Sequence, residues 1–298
     1  MALAAYEHNN TEKKGKASSD DTGGSGEVQE RQKNVPLTAR DLMQKGYEAV
    51  CFDPSIEAGG STAVVALLQP QGSVEVANLG DSGFMHLRPN RIEAFTSPQT
   101  HAFNTPFQLS VVPPATLQRM AAFGGTQFSD LPRDADVSRH SVRHGDVLIF
   151  ASDGVWDNLF DQDVLHVVSG AMTATRAWKW GRAGMEPGTD IALYTRVTNV
   201  ADGPADPTAA ALRRLQGEDQ QLPPQKRRIL PTVQSLVATR LVAAAKAASI
   251  NAKLDGPFAR EVNRVYPAEK WSGGKVDDIC VVAVVVAEAR PDLPSMTA

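Results

Sequence analysis

The sequence predicts an α+β fold built on antiparallel sheets. Three observations carry this. Short β-branched runs follow one another closely between Ser61 and Phe95, joined by brief turns. Helical periodicity is confined to long separate stretches, chiefly Asp161–Ala171 and Thr232–Leu254. Two nearly continuous apolar runs, 147–152 and 279–286, have the length and β-branched content of buried strands. Strands massed in the middle, with helices in their own stretches, is the pattern of α+β architecture rather than of alternating βαβ units.

Taken in order, residues 1–35 are polar and low in complexity, with Lys13-Lys14-Gly-Lys16 and a Ser/Asp/Gly-rich run from Ser18 to Gly26. They bury too little surface to offset ordering entropy and are expected to form a disordered tail. The folded domain is expected over 36–290, with a short tail at 291–298. Thr38 reads as the N-cap of a helix reaching about Tyr47, with Leu42, Met43 and Tyr47 apolar. Ser61–Gln69, Ser73–Leu79, Phe84–Arg88 and Ile92–Phe95 read as strands of an antiparallel meander, turned at Pro70-Gln-Gly72, Gly80-Asp-Ser-Gly83 and Pro89-Asn90. Residues 96–135 are loop-rich, with a short helix near Ala115–Phe123. Val137–Val142 and Val147–Ser152 read as a further strand pair. In the helix Asp161–Ala171, Val164, Leu165 and Val168 share a face. Residues 172–232 carry many Gly and Pro and the basic triplet Lys226-Arg-Arg228, and read as a largely irregular surface insertion. In Thr232–Leu254 the stripe is Val233, Leu236, Val237, Leu241, Val242 and Ala245. Phe258–Tyr266 is a shorter helix or turn, and the last strand closes a sheet.

Composition narrows the function classes. The chain has 298 residues, 42% hydrophobic, with formal net charge −4. That is enough for one large core or two modest ones, and it leaves no basic footprint for nucleic acid. No stretch approaches the roughly 20 apolar residues of a membrane span. Two cysteines, Cys51 and Cys280, make no disulfide framework, and Cys280 reads as a small core residue within its strand. Met1-Ala-Leu-Ala-Ala-Tyr6 is too short for a secretory signal. No Arg precedes Arg31, and Glu7, Glu12, Asp20 and Asp21 are acidic where a mitochondrial transit peptide is acid-poor.

The residues that carry chemistry sit at strand ends. The run Asp146-Val-Leu-Ile-Phe-Ala-Ser152 stops at Asp153-Gly154, and Asp277-Asp278 opens the run Ile279–Val286. A buried strand holds a terminal carboxylate on a rigid support, and two such carboxylates facing each other suit a hard divalent cation such as Mg²⁺ or Mn²⁺. Asp-Gly after a strand also serves as a plain turn, and Asp-Asp before one is often solvated. Gly80-Asp-Ser-Gly83 superficially matches the nucleophile segment of chymotrypsin-like proteases. It lies between two strands and is followed by Phe84, and Ser82 has no His or Asp partner by order.

The segments Gly60-Ser-Thr-Ala63, Ala77-Asn-Leu-Gly-Asp-Ser-Gly83, Phe150-Ala-Ser-Asp-Gly-Val-Trp-Asp157 and Gly273-Gly-Lys-Val-Asp-Asp-Ile279 occur in this order. Together they resemble the middle and C-terminal motifs of the metal-dependent protein phosphatases of type 2C. The match is closest to the subgroup that includes mitochondrial members, whose signature resembles Ala77–Phe84 followed by His101-Ala-Phe-Asn-Thr-Pro-Phe-Gln-Leu109. The resemblance covers about residues 36–165 and 233–288. It implies two packed antiparallel β-sheets flanked by α-helices, with a metal cleft at one end of the sandwich. It further implies hydrolysis of phosphoserine or phosphothreonine in phosphoproteins by a metal-activated water, with two or three Mg²⁺ or Mn²⁺ ions. By similarity Asp153 and Asp277 belong to the ligand set, and Asp81 and Asp157 match positions used for a weaker third metal. Asp157 equally suits the N-terminal end of a helix dipole. Asp278 is expected to be exposed, or to orient its neighbour. His101 and Asn104 belong to the subgroup signature, and a lone loop His is usually structural.

The family's first metal motif, an Asp-Gly-Val-Gly-Gly-Trp-like segment after an early strand, has no counterpart here. Asp21-Thr-Gly-Gly24 is only an echo in a polar stretch. The family's N-terminal phosphate-contacting Arg is also without a match. The expected fold is therefore N-terminally incomplete, with open sheet edges. The expected function is that of a truncated metal-dependent phosphatase, and the alternative is an inactive pseudophosphatase that binds phosphoprotein partners. A monomer is expected, mitochondrial or cytoplasmic.

Overall fold

The computed structural model describes residues 36–122, 130–189, 191–195 and 232–288. The polar tail 1–35, Phe123, the basic triplet at 226–228 and the tail 291–298 lie outside the described residues. The helices and strands all belong to the unit that begins at Leu37.

Two antiparallel sheets stack face to face. One has three strands in the order β2 (Ala63–Gln69), β3 (Ser73–Leu79) and β9 (Asp136–Ser141). The other has four, in the order β13 (Val281–Val285), β10 (Val147–Ala151), β4 (Gly83–Arg88) and β5 (Arg91–Phe95). Alternation along each strand sorts the side chains by layer. Val74, Val76, Phe84 and Leu148 form the dry layer between the sheets. From the same strands, Met85, Leu87, Val147 and Ile149 face the other way. They pack against helix α4 (Asp161–Ala174) and helix α6 (Val233–Ser249), through Val164, Val168, Leu236 and Leu241. On the opposite side Ala77 and Leu79 meet Met43 of α1 (Ala39–Phe52). Helix α1 starts where the sequence places it. The Thr38 hydroxyl accepts from the Asp41 N–H at 3.1 Å, and the Asp41 carboxylate accepts from the Thr38 N–H at 2.9 Å, a reciprocal cap.

The structure corrects the sequence reading at four places. First, the meander is divided. β3 pairs with β2 and β9, whereas β4 pairs with β5 and β10. The Gly80–Ser82 turn carries the chain from one sheet to the other. Gly80 has φ +98°, and a Cβ there would lie 2.5 Å from the Thr62 methyl and 2.6 Å from the Phe107 carbonyl oxygen, so only glycine makes this passage. Second, β9 and β10 are not partners, for the chain changes sheets again between them. Turn residues mark where a strand stops but not which sheet receives the next one.

Third, order continues into the first part of the segment read as an irregular insertion, whose residues 196–231 lie outside the described residues. Residues 172–174 finish α4. Trp178–Gly181 (β11) then pairs with Gly184–Pro187 (β12), and a helical turn follows at Ile191–Tyr194 (α5). Trp178 is fully buried, and its indole N–H donates to the Gly145 carbonyl at 2.7 Å. Fourth, Cys280 is exposed, as is Cys51. β13 is an edge strand, so its five residues are only half-buried despite their composition. An apolar run reveals strand character, but its burial depends on neighbours the run does not encode.

Candidate metal centre

The pairing register explains why residues far apart in sequence meet. β10 is antiparallel to both of its neighbours, with Ala151 opposite Gly83 on β4 and opposite Val281 on β13. The exit of β10 therefore lies beside the entrances of β4 and β13. Asp153 follows β10, Asp81 precedes β4 and Asp277 precedes β13, so one end of the sheet gathers all three loops. Asp153 opens a one-turn helix (α3, Asp153–Trp156), and the Asp157 N–H donates to the Asp153 carbonyl at 2.8 Å. That single turn puts both carboxylates on the same side.

Carboxylate oxygens of Asp153, Asp157 and Asp277 lie within 4.8 Å of one another. The Lys275 ammonium stands among them. Its Nζ is 3.0 Å from Asp153 Oδ2, 2.6 Å from Asp157 Oδ2 and 3.0 Å from Asp277 Oδ2. Asn104 Oδ1 accepts from it at 3.3 Å, and the Phe258 ring centroid is 4.9 Å away.

The supports are buried and specific. Asn158, 2% exposed, clamps the Lys275 backbone. Its Oδ1 accepts from the Lys275 N–H at 2.9 Å, and its Nδ2 donates to the Lys275 carbonyl at 2.8 Å and to the Gly154 carbonyl at 2.9 Å. The Ser152 hydroxyl donates to the Asp278 carbonyl at 2.8 Å and accepts from the Cys280 N–H at 2.9 Å. Gly274 lies so close to the backbone of Ala248 and Ser249 that any side chain would collide with the end of α6.

Charge crowding shows in the titration of these groups. Burial is the main cause that pushes Asp157 up to about 6, with Asp153 and Asp81 adding to it and Lys275 opposing it. Asp81 is also raised, by burial and then by Asp153. Asp277 is burdened by burial too, yet the Lys275 ammonium and the Asp278 N–H bring it below the usual carboxylate range. Burial works against the charged Lys275, but its three carboxylate partners outweigh this and raise its pKa.

A cleft of about 610 Å³ opens beside the cluster. Asp81 and Asp157 stand on its wall with Phe103, Asn104, Trp156 and Phe258. Helix α7 (Pro257–Val265) contributes Glu261 and Arg264.

The structure thus brings Asp153, Asp157 and Asp277 together and leaves Asp81 on the adjoining wall. The Asp278 side chain is exposed, and its N–H donates to Asp277 Oδ1 at 2.8 Å. His101 is tied to Asp130 at 2.9 Å and stacks on Phe107 with centroids 4.2 Å apart, an arrangement that holds the loop. The Ser82 hydroxyl meets the Thr62 hydroxyl at 2.8 Å, which is not a protease arrangement. Sequence reading missed Lys275 and Asn158. The signal for Lys275 was its place two residues before Asp277 in a Gly-Gly-Lys stretch, and for Asn158 its place directly after Asp157.

This sandwich of two antiparallel sheets flanked by helices is the fold of the type 2C protein phosphatases. Over 83% of its length the chain superposes on 70% of a photosystem II phosphatase, PBCP, with a TM-score of 0.52 at 21% identity. In sequence it is similar to protein phosphatase 2C homolog 7, mitochondrial, of Saccharomyces cerevisiae, 35% identical over 132 residues, which are 44% of this chain and 38% of the relative. The protein phosphatase PTC7 homolog of Danio rerio is 41% identical over 132 residues, 44% of this chain and 42% of the relative. The chain therefore spans about two fifths of the length of these curated relatives. No protein-family model matches it.

Proposed function

We propose that the chain is a metal-dependent phosphoprotein phosphatase acting on phosphoserine or phosphothreonine. The observation that carries this reading is the convergence of Asp153, Asp157 and Asp277 beside a cleft that Asp157 lines. Their oxygens fit a hard divalent ion, Mg²⁺ or Mn²⁺, because the donor set is all carboxylate. A cationic group already lies among them in this fold. Asp81 on the adjoining wall is suited to a further ion.

A bound divalent ion supplies charge that acidifies water and offsets the negative phosphoryl group. The chain's own residues do the rest. Ser152 and Asn158 fix the loops that carry the carboxylates. Phe103, Trp156 and Phe258 give the cleft apolar walls that exclude water around a bound phosphopeptide. The relatives carry phosphatase names, and none favours the alternative of an inactive phosphoprotein-binding module. The mitochondrial designation of the yeast relative supports a mitochondrial address for this chain, which fractionation of cells carrying the tagged full chain tests; recovery in the cytosol alone rejects it.

The test of activity is phosphate release from a phosphothreonine peptide by the purified chain across a Mn²⁺ titration. Release that rises with Mn²⁺, vanishes with chelator and is lost in Asp153→Asn is the expected result. Release that persists in excess chelator, or none at any Mn²⁺ concentration, rejects the reading.

A further inference from the structure

We propose that the Lys275 ammonium and a divalent cation are alternative occupants of the cage formed by Asp153, Asp157 and Asp277. Lys275 is then a positioning residue. It organises the three carboxylates in the metal-free chain and leaves the cage when the ion enters. This inference rests on the metal-binding reading above.

Three observations carry it. The ammonium is central rather than peripheral, at 2.6–3.0 Å from one oxygen of each carboxylate. An Mg²⁺ ion requires oxygens at about 2.0–2.1 Å, so it needs the space the ammonium fills, and two cations there would repel. The position is also built. Both backbone groups of Lys275 are held by the buried Asn158, and Gly274 fits against the end of α6 only because it has no side chain. A lysine on a solvated loop needs no such fixing. Finally, the cage borders the cleft on the side of the ammonium. Asn104 Oδ1 and the Phe258 ring face the ammonium from the cleft side, and both residues line the cleft. The four-carbon stem leaves the cage by rotation about its own bonds, with the clamped backbone unmoved.

The consequence is that ion affinity is set by a displacement. The ion gains three carboxylates but must expel a tethered competitor, so a variant without the ammonium binds it more tightly. A residue that merely braced the fold would have the opposite effect, or none.

Calorimetric titration of the full chain with Mn²⁺ tests this, comparing wild type, Lys275→Gln and Lys275→Arg. Lys275→Gln is expected to bind Mn²⁺ about tenfold more tightly or better, and to melt at a lower temperature without metal because the carboxylates then repel unopposed. Lys275→Arg keeps a competing cation and is expected to show no such gain. On wild-type protein, ¹⁵N-lysine NMR should show a protected Lys275 ammonium without metal that shifts on addition of Mg²⁺, the signal being assigned by its loss in Lys275→Arg. Equal or weaker Mn²⁺ binding by a folded Lys275→Gln, or a Lys275 signal indifferent to bound Mg²⁺, overturns the proposal and leaves the metal site standing. Absence of Mn²⁺ binding in wild type and variants overturns the metal reading itself. If Lys275→Gln does not fold, the wild-type NMR experiment decides alone.

Discussion

Two charged clusters on the four-stranded sheet are built on opposite plans. Around Asp146, one buried carboxylate is shared by several donors. It accepts from the Arg143 N–H at 2.9 Å and Arg88 Nε at 3.4 Å, and pairs with His86 Nε2 at 2.7 Å. His86 and Asp146 are almost wholly buried, at 0% and 1% exposure. Around Lys275 the numbers invert, and one ammonium is shared by three carboxylates that remain partly open to solvent. The first cluster has donors enough for its single negative charge, and its role is to fasten the β9–β10 connection to β4. The second carries two negative charges in excess of its one cation when its carboxylates are ionised. Burial with sufficient donors makes a structural anchor, whereas crowding of like charges beside a cleft marks a candidate site.

That contrast is broken most severely by removing the anchor. Asp146→Ala leaves His86 and Arg88 without their buried carboxylate and is expected to lower stability by ~3–5 kcal/mol. Urea denaturation measures this, and Mn²⁺ affinity of the folded fraction should be unchanged. A smaller free-energy effect, but a larger functional one, is expected at the other cluster. Asp153→Asn should reduce metal-dependent phosphate release about a hundredfold while leaving the denaturation midpoint near wild type. If the two variants exchanged these phenotypes, the division of labour would be wrong. Asn158→Ala lies between the plans, since it is buried and serves the site. It should cost ~1–3 kcal/mol through the groups it leaves unpaired and weaken Mn²⁺ binding about tenfold through the freed loop, as thermal melts with and without metal would show. The smallest effect concerns pH. Burial, and then His86, lower the pKa of His140 in the folded chain. The unfolded state then binds the proton more readily, so this contribution to stability is present above the unfolded value of about 6.5 and is lost as pH falls below it. His140→Gln should flatten the decline in melting temperature between about pH 7 and 5; an unaltered slope would remove His140 from the account.

Much of the fold was legible because period and punctuation sufficed. Ser73–Leu79 occupies the residues read for it, and Val164, Leu165 and Val168 face the core as their spacing requires. Pairing was less legible. Strand periodicity fixes which face a residue takes but says nothing of the strand beside it, so the crossing at Gly80 read as one more hairpin. The 178–187 hairpin was hidden because its Gly and Pro residues outweighed Trp178 in any local reading, and only the distant Gly145 carbonyl gives that indole its place. Within the site, carboxylates at strand ends stood out because a strand that stops at Asp is visible in one dimension. Lys275 did not. A lysine two residues before an aspartate reads as solvated, and it is turned inward by Asn158 and by the glycine contact with α6, both remote in sequence.

The antiparallel register of β4, β10 and β13 also bears on how the protein is made. Because the acidic loops come from widely separated stretches of chain, no local segment possesses the site. A nascent chain that has emerged only through β10 and the turn after it carries Asp81, Asp153 and Asp157 but lacks the last carboxylate, and scattered aspartates hold divalent ions weakly. If the cluster holds the proposed ion, its tight capture requires that the last strand has docked. Pairing of that kind, between residues far apart along the chain, is among the slow events of folding. On the proposed metal reading, the ion would serve as a late inspector of the product, retained by completed molecules and passed over by unfinished ones.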